Sequence, residues 1–261
     1  HTKTALEDLI LRKFSRALDQ YSFKAKGSGK SGLISTSRPG PEVMRRTAVE
    51  FTEKLLIVRF EVGFPANGRT INAQELEKIL LDFLPQIVKK CLYYQAWDKR
   101  LVQEGFELAE NQQKIREVLE ERKLVAFCAN GSILPRKSGV SSQPLKDAVA
   151  FESPKSMELA IDLPFGGSIF GMGIPEGVTL IIGGGYHGKS TLLQALEQGV
   201  YNHVKGDGRE YVITRANALK LRAEDGRAVS NLDLSLFIHD LPNGKDTHCF
   251  STEDASGSTS Q

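Results

Sequence analysis

The sequence has 261 residues, with 40% hydrophobic and 25% charged side chains, which is typical of a globular protein with one large domain or two smaller ones. It contains no run of about 18 apolar residues, and this excludes a transmembrane helix. Residues 1–4 lack an apolar segment, so they form neither a signal peptide nor an anchor. A bare His at position 1 leaves open that a targeting peptide has been removed.

The net charge of +2 conceals an uneven distribution along the chain. Residues 1–150 contain 25 Lys and Arg against 18 Asp and Glu, whereas residues 151–261 contain 9 against 14. The excess is greatest in residues 12–46, with nine basic and two acidic side chains. Such a stretch is typical of a surface that binds a polyanion, and equally of a solvated loop.

The first part of the chain predicts a helix followed by strands. Residues 5–18 have apolar side chains three and four positions apart, which is typical of an amphipathic helix. A Gly-, Ser- and Lys-rich loop follows over residues 24–41. Residues 55–62 predict a strand that ends at the turn-rich residues 63–68.

A second helical region is predicted after residue 71. Asn72 and Glu75 have the spacing of a capping box, and Pro85 should kink or end the helix that they begin. Residues 112–123 predict a highly charged helix, and residues 124–128 predict a short strand.

The pattern changes near residue 160. Beyond Gly171 the sequence predicts a strand at residues 178–182, a helix from about Lys189 to Gly199 and a strand at residues 211–214. We therefore predict two domains: an α+β, basic domain over residues 1–160 and an α/β domain over residues 161–261.

The three cysteines, Cys91, Cys128 and Cys249, have no metal-like spacing. Their odd number and their positions predict buried thiols in a reducing compartment.

Residues 183–190 match the phosphate-binding pattern G-x-x-x-x-G-K-S in full, between the predicted strand and the predicted helix. Glycines let backbone N–H groups approach phosphate oxygens, and the helix N-terminus adds positive potential. Lys189 would contact the β- and γ-phosphates, and the Ser190 hydroxyl would bind Mg²⁺. The predicted nucleotide contacts are Gly183, Gly184, Gly185, Tyr186, His187, Gly188, Lys189, Ser190 and Thr191.

Three aromatic side chains have two interpretations each. His187 would either sense the γ-phosphate or cap the loop toward solvent, and the second is favoured. Tyr201 and Tyr211 are candidates for stacking on the adenine, although a role in the core is favoured for both.

Residues 27–32 resemble the same phosphate-binding pattern but lack its first glycine, because position 24 is Lys. The preceding residues 21–26 do not form a buried strand. We interpret this stretch as a mobile basic loop, with nucleic-acid contact as the alternative.

Several blocks of sequence, in one order over nearly the whole chain, resemble the predicted ATPases of the ABC class. They are residues 62–69, 134–139, 171–175, 183–190, 199–203, 206–210, 222–227 and 255–261.

The resemblance implies a P-loop ABC-type ATPase core, preceded by a family-specific α+β domain, that uses ATP and Mg²⁺. In such cores a nucleotide is held between the P-loop of one subunit and the signature motif of another, which implies a homodimer. Residues 255–261 resemble that signature, and Ser256 and Gly257 would then contact the γ-phosphate in trans. Considered without the other blocks, the same residues read as a disordered tail.

The chain also departs from the family pattern. The Asp-Glu strand that follows the signature in an ABC core is absent, so the core is expected to be truncated at the signature motif, and no catalytic residue is assigned. ATP hydrolysis is expected of the complete protein. No Gln occurs between residues 199 and 260 for the usual Q-loop. Glu224 or Asp225 would either replace it or form salt bridges with Arg222 or Arg227.

Two functions fit these observations. The first is an ATP-dependent dimerising switch whose basic domain binds or remodels single-stranded RNA through Lys24, Lys26, Lys30 and Arg38. The second is an ATP-dependent conformational switch that acts on a protein partner without nucleic acid. A small-molecule kinase shares the P-loop but leaves residues 171–175 and 255–261 without a role.

The resemblance also bears on location. The family includes a kinetoplastid member of a mitochondrial RNA-binding complex, an RNA-editing factor. A resemblance to that member implies a mitochondrial location, and a bacterial relative implies a cytoplasmic one.

Overall fold

The computed structural model describes residues 1–182, 187–221, 228, 230–236, 239, 244 and 246–251. The chain divides into two compact units, His1–Ala218 and Leu219–Gln261. In the second unit, Leu232 and Phe250 form an antiparallel bridge with N–H···O distances of 3.0 and 2.9 Å. Among the described residues, no helix combines the length and the apolar character that crossing a bilayer requires.

Helix α1, Thr2–Asp19, confirms the helix predicted at residues 5–18. Its apolar stripe, including Leu11, Phe14 and Leu18, is almost completely buried. Asp8 is buried on the same helix and accepts hydrogen bonds of 2.6 Å from both Arg12 and Arg46. The two guanidinium groups compensate the desolvation of this carboxylate.

Short antiparallel strands follow α1. The strand predicted over residues 55–62 is wrong in its continuity, because the chain changes partner within it. Its first half pairs with one neighbour and its second half with another, while the N–H of Arg59 between them donates to the carbonyl of Ala48. The strands are β1 Ile34–Ser35, β2 Glu42–Val43, β3 Val49–Phe51, β4 Leu56–Val58, β5 Glu61–Val62, β6 Ala66–Asn67 and β7 Thr70–Ile71. They pair as β1 with β5, β3 with β4, and β6 with β7.

Asn72 caps helix α2, Ala73–Glu77, through its side chain, which accepts from the N–H of Glu75. The reciprocal half of the predicted capping box is wrong. The carboxylate of Glu75 accepts instead from the N–H of Lys26 at 2.8 Å and pairs with Lys78, and the N–H of Asn72 donates to the carbonyl of Pro65. Glu75 therefore connects α2 to the basic loop.

Pro85 neither ends nor sharply interrupts the helical region, which continues as α3, Leu84–Cys91. The residues before it, Lys78–Phe83, form a π-helix. A wider turn changes the backbone hydrogen-bond pattern just where the proline ring supplies no N–H, so the region passes through Pro85 by changing helix type. A 3₁₀ turn at Tyr94–Ala96 follows.

The long helix α4, Lys99–Glu121, begins earlier than the predicted helix at residues 112–123 and is capped by Asp98. It is followed by the strands β8 Leu124–Ala129, β9 Glu158–Leu163, β10 Gly167–Pro175, β11 Asn202–His203 and β12 Val212–Thr214, with helix α5 Lys189–Gln198 between β10 and β11. A four-stranded antiparallel sheet has the order β12-β8-β10-β9. The predictions of β8, α5 and β12 are confirmed. β11 pairs with β2 near the N-terminal part of the chain.

The sheet lies between two helices. Ile115, Val118 and Leu119 of α4 pack against one face, where Phe127 and Ile213 are buried. Ala195 and Leu196 of α5 pack against the other face in a cluster that includes Ala126, Cys128 and Val212. This three-layer arrangement fixes the start of α5 relative to β8, although the sheet takes strands from both sides of the domain boundary predicted at residue 160.

The predicted strand at residues 178–182 is wrong for the structure described here. This segment is not a strand, and Val178, Leu180 and Ile182 are 85%, 79% and 78% exposed. A strand needs a partner for its backbone groups, and within the described ranges none pairs with these residues. An apolar β-branched run is therefore not sufficient to form the buried parallel strand that the sequence pattern predicted.

The cysteines confirm the predicted buried thiols at two positions of three. Cys91 and Cys128 are buried, and burial raises their pKa values to about 11 and about 12. Cys249 is exposed, so the prediction is wrong for this thiol.

Gly171 in β10 generates a stability prediction. A Cβ at this position would lie 2.4 Å from the carbonyl oxygen of Cys128 and 2.7 Å from the Cα of Ala129. Both are backbone atoms of β8, which cannot move without opening the sheet. We expect Gly171→Ala to lower the free energy of unfolding by about 1–3 kcal/mol, measured by urea denaturation.

Gly139 is the matched control, because a Cβ there meets no heavy atom within 4 Å. Gly139→Ala should leave the unfolding midpoint unchanged. Equal midpoints for the two variants would contradict the close packing of β10 on β8.

Candidate functional site

The phosphate-binding pattern leads directly into α5. Gly183, Gly184, Gly185 and Tyr186 lie outside the described residues. Gly188 is the N-cap and has a φ of 79°, a left-handed conformation that favours glycine, and helix α5 begins at Lys189. The N–H of Leu192 donates to the carbonyl of Gly188 at 2.9 Å, and the N–H groups of a first helical turn have no carbonyl partner within the helix.

A cleft of about 340 Å³ lies beside the start of α5. Its lining combines the end of the phosphate-binding pattern and the first turn of α5 with apolar residues from the preceding segment and from two distant loops. Its walls are Leu134, Pro135, Val149, Phe151, Ile181, Ile182, His187, Gly188, Lys189, Thr191 and Leu192. This shape suits a ligand with an anionic end and a flat apolar end.

The structure brings four of the predicted nucleotide contacts to this cleft, namely His187, Gly188, Lys189 and Thr191. Ser190 is exposed on the first turn of α5 but does not line the cleft. Ser256 and Gly257, the predicted signature residues, lie outside the described residues, as do Arg222, Glu224, Asp225 and Arg227. Within the part of the chain that is described, no group of three or more His, Cys, Asp or Glu side chains is placed to hold a metal ion.

The predicted stacking aromatics do not line the cleft. Tyr211 packs against the core beneath α4, and its hydroxyl accepts a hydrogen bond of 3.2 Å from Asn111, which confirms the favoured core role. Tyr201 is 46% exposed, so a core role is wrong for this residue. Phe151 is the aromatic residue in the cleft wall. No sequence pattern marks Phe151, because it comes close to α5 only through tertiary contacts.

Arg209, which is 1% exposed, forms hydrogen bonds with the backbone of the cleft residue Leu134. The Nε of Arg209 donates to the carbonyl of Leu134 at 3.0 Å, and a second nitrogen of the same guanidinium donates to the same oxygen. Its third nitrogen donates to Gln198 Oε1 at 2.6 Å. Burial and then the nearby charge of Arg136 lower the pKa of Arg209 to about 10.

Arg136 and His203 meet at the carboxylate of Asp207. One oxygen of Asp207 lies 2.7 Å from the Arg136 guanidinium and 2.6 Å from His203 Nδ1. Burial alone would raise the pKa of Asp207, but these hydrogen bonds outweigh it and the net shift is downward. The carboxylate is therefore ionised and fixes both neighbours.

The C-terminal end of α5 is held by Arg116 from α4. Its guanidinium donates to the carbonyls of Val200 and Thr214 at 3.1 and 2.7 Å, and burial lowers the pKa of Arg116. A cation at this end of a helix is favourable to the helix dipole. Gly199 lets the end of α5 lie close to β12, because a Cβ at this position would lie 2.8 Å from the carbonyl oxygen of Val212.

The predicted nucleic-acid residues lie on the loop after α1. Lys26 and Lys30 are exposed, and Lys24 lies 4.6 Å from the ring centre of Tyr21. Arg38 is paired with Asp19 at 2.7 Å, which reduces its availability to a phosphate.

The loop itself is not free, contrary to the interpretation of a mobile loop. The N–H of Ser28 donates to Ala66, and the N–H of Gly32 donates to Gly63, both at 2.8 Å. These bonds attach it to the strands at residues 61–67.

Comparison with known proteins identifies the class. The family model described as the P-loop domain of the ABC ATPases matches residues 98–261, and the model described as the N-terminal domain of ATPases of the ABC class matches residues 1–95. The chain therefore belongs to the ABC-class ATPase family, with an N-terminal domain followed by a P-loop domain. The fold class and the family predicted from the sequence are confirmed, and the family supports a nucleotide-binding ATPase.

A curated relative is an uncharacterized protein from the archaeon Methanocaldococcus jannaschii. It is 36% identical over 142 residues, which cover 51% of this chain and 32% of the relative. The chain thus matches about a third of the length of that protein. Neither this match nor the family models support a link to kinetoplastid RNA editing, which stays a prediction.

Proposed function

We propose that the chain binds ATP with Mg²⁺ in the cleft at the start of α5. The observation that carries this proposal is that Gly188, Lys189 and Thr191, at a helix N-terminus, line one cleft together with apolar residues. The phosphates would lie against the first turn of α5, where N–H donors and the helix dipole stabilise negative charge. The adenine would lie against Leu134, Pro135 and Phe151.

Three parts of the pattern have a role in this proposal. Lys189 binds the β- and γ-phosphates, and the backbone of Gly183 to Gly185 surrounds them. Ser190, exposed on the first turn, supplies a hydroxyl for Mg²⁺. A hydroxyl and phosphate oxygens suit this cation, which commonly binds to one or two protein groups in nucleotide sites. Bound Mg²⁺ would neutralise phosphate charge.

The proposal predicts the effect of removing one charge. Lys189→Ala should weaken ATP binding at least about tenfold, because a charge-assisted hydrogen bond contributes roughly 1.5–3 kcal/mol. Isothermal titration calorimetry with Mg²⁺ and ATP measures the change. Lys155→Ala is the control, because Lys155 is an exposed lysine that does not line the cleft. An unchanged dissociation constant for a folded Lys189→Ala variant would sink the proposal.

RNA binding by the N-terminal domain is the finer part of the proposed function. Two large aromatic side chains are exposed near Lys24, Lys26 and Lys30: Phe23, directly before the basic loop, is 62% exposed, and Phe64, in the turn at residues 63–68, is 55% exposed. Base stacking on aromatic rings, combined with basic side chains, is the usual way to bind single-stranded nucleic acid. This combination favours RNA over the alternative of a protein partner.

The two aromatic residues flank one backbone junction. Phe23 has a φ of 61°, and its N–H donates to the carbonyl of Gly32 at 2.7 Å. The Cα of Gly63, next to Phe64, packs so closely on the loop that a Cβ would lie 2.1 Å from the carbonyl oxygen of Lys30. The junction thus fixes Phe23, Lys30 and Phe64 on one small part of the surface, which supports their joint use.

Charge and stacking can be separated by two variants. Replacing Lys24, Lys26, Lys30 and Arg38 with Gln should lower the affinity for single-stranded RNA and reduce the slope of log affinity against log salt by about 0.7 for each lost phosphate contact. Arg38 should contribute least, because it is paired with Asp19. The double change Phe23→Ala and Phe64→Ala should lower affinity and leave the slope unchanged. Fluorescence anisotropy over a range of salt concentrations measures both.

The matched control replaces four exposed lysines elsewhere, Lys99, Lys123, Lys146 and Lys155, with Gln. It changes the net charge equally and should retain more affinity than the loop variant. If the loop variant keeps both affinity and slope, the loop is a solvated surface and the protein-partner function is favoured.

The remaining parts of the proposal come from family membership alone. They are a homodimer in which ATP lies between the P-loop of one chain and Ser256 and Gly257 of the other, and ATP hydrolysis by the complete protein. A mitochondrial location, or otherwise a cytoplasmic one, stays a prediction.

A further inference from the structure

The apolar wall of the cleft belongs to no helix or strand of its own. Leu134 and Pro135 lie between β8 and β9 in an irregular segment, so neighbouring residues must fix their position. The N–H of Ile133 donates to the carbonyl of Gly208 at 2.8 Å, and the carbonyl of Leu134 accepts from Arg209. The wall is therefore attached to the segment that follows β11, and the N–H of Leu145 attaches it to a second segment through the carbonyl of Pro135.

Arg209 connects this wall to the helix that begins with the P-loop lysine. Gln198, which accepts from Arg209, is the last residue of α5, and Lys189 is the first. A single guanidinium thus links the apolar wall to α5 across the protein interior. Leu134 also belongs to the same apolar cluster as Ala195 and Leu196 of α5, so Arg209 acts together with this packing.

The charged groups around Arg209 indicate that this residue has a geometric role. The side chain of Arg136 is 6% exposed and Arg209 is 1% exposed, and Asp207 forms ion pairs with Arg136 and His203. The hydrogen bonds that Arg209 donates to Leu134 and Gln198 go to neutral oxygens, so its buried charge is expensive to desolvate, and an apolar side chain of similar volume often stabilises such a position. The planar guanidinium of Arg209 instead donates two hydrogen bonds to the carbonyl of Leu134 and a third to Gln198 of α5.

We propose that Arg209 is a positioning residue for recognition of the nucleotide base. It holds Leu134 and Pro135 at the distance from α5 at which a base fits between the wall and the first turn of the helix. The phosphates contact α5 and the P-loop directly and do not need this spacing. The inference rests on the proposed binding of ATP to this cleft.

The test compares ATP with inorganic tripolyphosphate, which carries the phosphates without a base. Each ligand is titrated, with Mg²⁺, into the 261-residue chain, into its Arg209→Met variant and into the control variant Arg122→Met. Arg122 is exposed at the C-terminal end of α4 and donates to the carbonyl of Ala160. Arg209→Met should lower the affinity for ATP about tenfold, comparable to the loss of one base contact, and leave the affinity for tripolyphosphate unchanged. Arg122→Met should change neither.

A second variant addresses failure to fold. Gln198→Met removes only the acceptor on α5 and retains the bonds from Arg209 to Leu134, so it should lower the affinity for ATP in the same direction by a smaller factor. Circular dichroism establishes that each variant is folded.

The outcomes are distinct. Loss of both ligands to the same extent would assign Arg209 a purely structural role and overturn the inference. Unchanged binding of both ligands by both variants would overturn it as well, with the proposed function intact. A wild-type chain that binds neither ATP nor tripolyphosphate would overturn the proposed function, and the inference with it.

Discussion

The backbone hydrogen bonds of β8 are the interaction on which the P-loop part of the molecule depends. This strand pairs with β10 on one side and β12 on the other, while α4 and α5 pack on its two faces. The packing on the α5 face sets where that helix lies. Since the helix N-terminus is the proposed anion-binding element, the sheet positions the proposed site although none of its side chains lines the cleft.

Arginine side chains donate hydrogen bonds to backbone carbonyls where regular secondary structure ends. Arg116 satisfies the carbonyls after α5, and Arg209 satisfies the carbonyl of the irregular wall segment. Backbone carbonyls buried away from water must be paired, and a guanidinium can pair several at once. The residues after α5 therefore act as a buried support for the cleft, which gives a physical reason for the run of Gly, Asp and Arg at residues 206–209.

The sequence predicted those features that depend on local spacing. The apolar periodicity of α1, the cap of Asn72 and the start of α5 at Lys189 all follow from residues within a few positions of one another, and each is confirmed. The partner with which each strand pairs was not predictable from the sequence. Residues 55–62 have a uniform strand pattern, but the chain exchanges one neighbour for another at Arg59. Residues 178–182 have the pattern of a buried strand without a partner among the described residues.

The same distinction between local sequence spacing and tertiary packing applies to the candidate site. His187, Gly188, Lys189 and Thr191 were predicted because they form one continuous motif. Leu134 and Phe151 are brought to the cleft by packing between distant segments, and Arg209 acts through Leu134 without lining the cleft. Residues 134–139 did resemble a family block, but the resemblance assigned them no role. Only the fold places the first two residues of that block beside the start of α5.

The exposed apolar stretch at residues 178–182 affects how the chain behaves in concentrated solution. Five consecutive residues of high β-propensity, with three side chains largely in water, can pair with the same stretch of another molecule and begin a disordered association. Ile181 and Ile182 also line the cleft, so a ligand held there covers part of this stretch. Nucleotide would then act as a solubility factor, keeping the chain dispersed by occupying the surface through which it would otherwise self-associate.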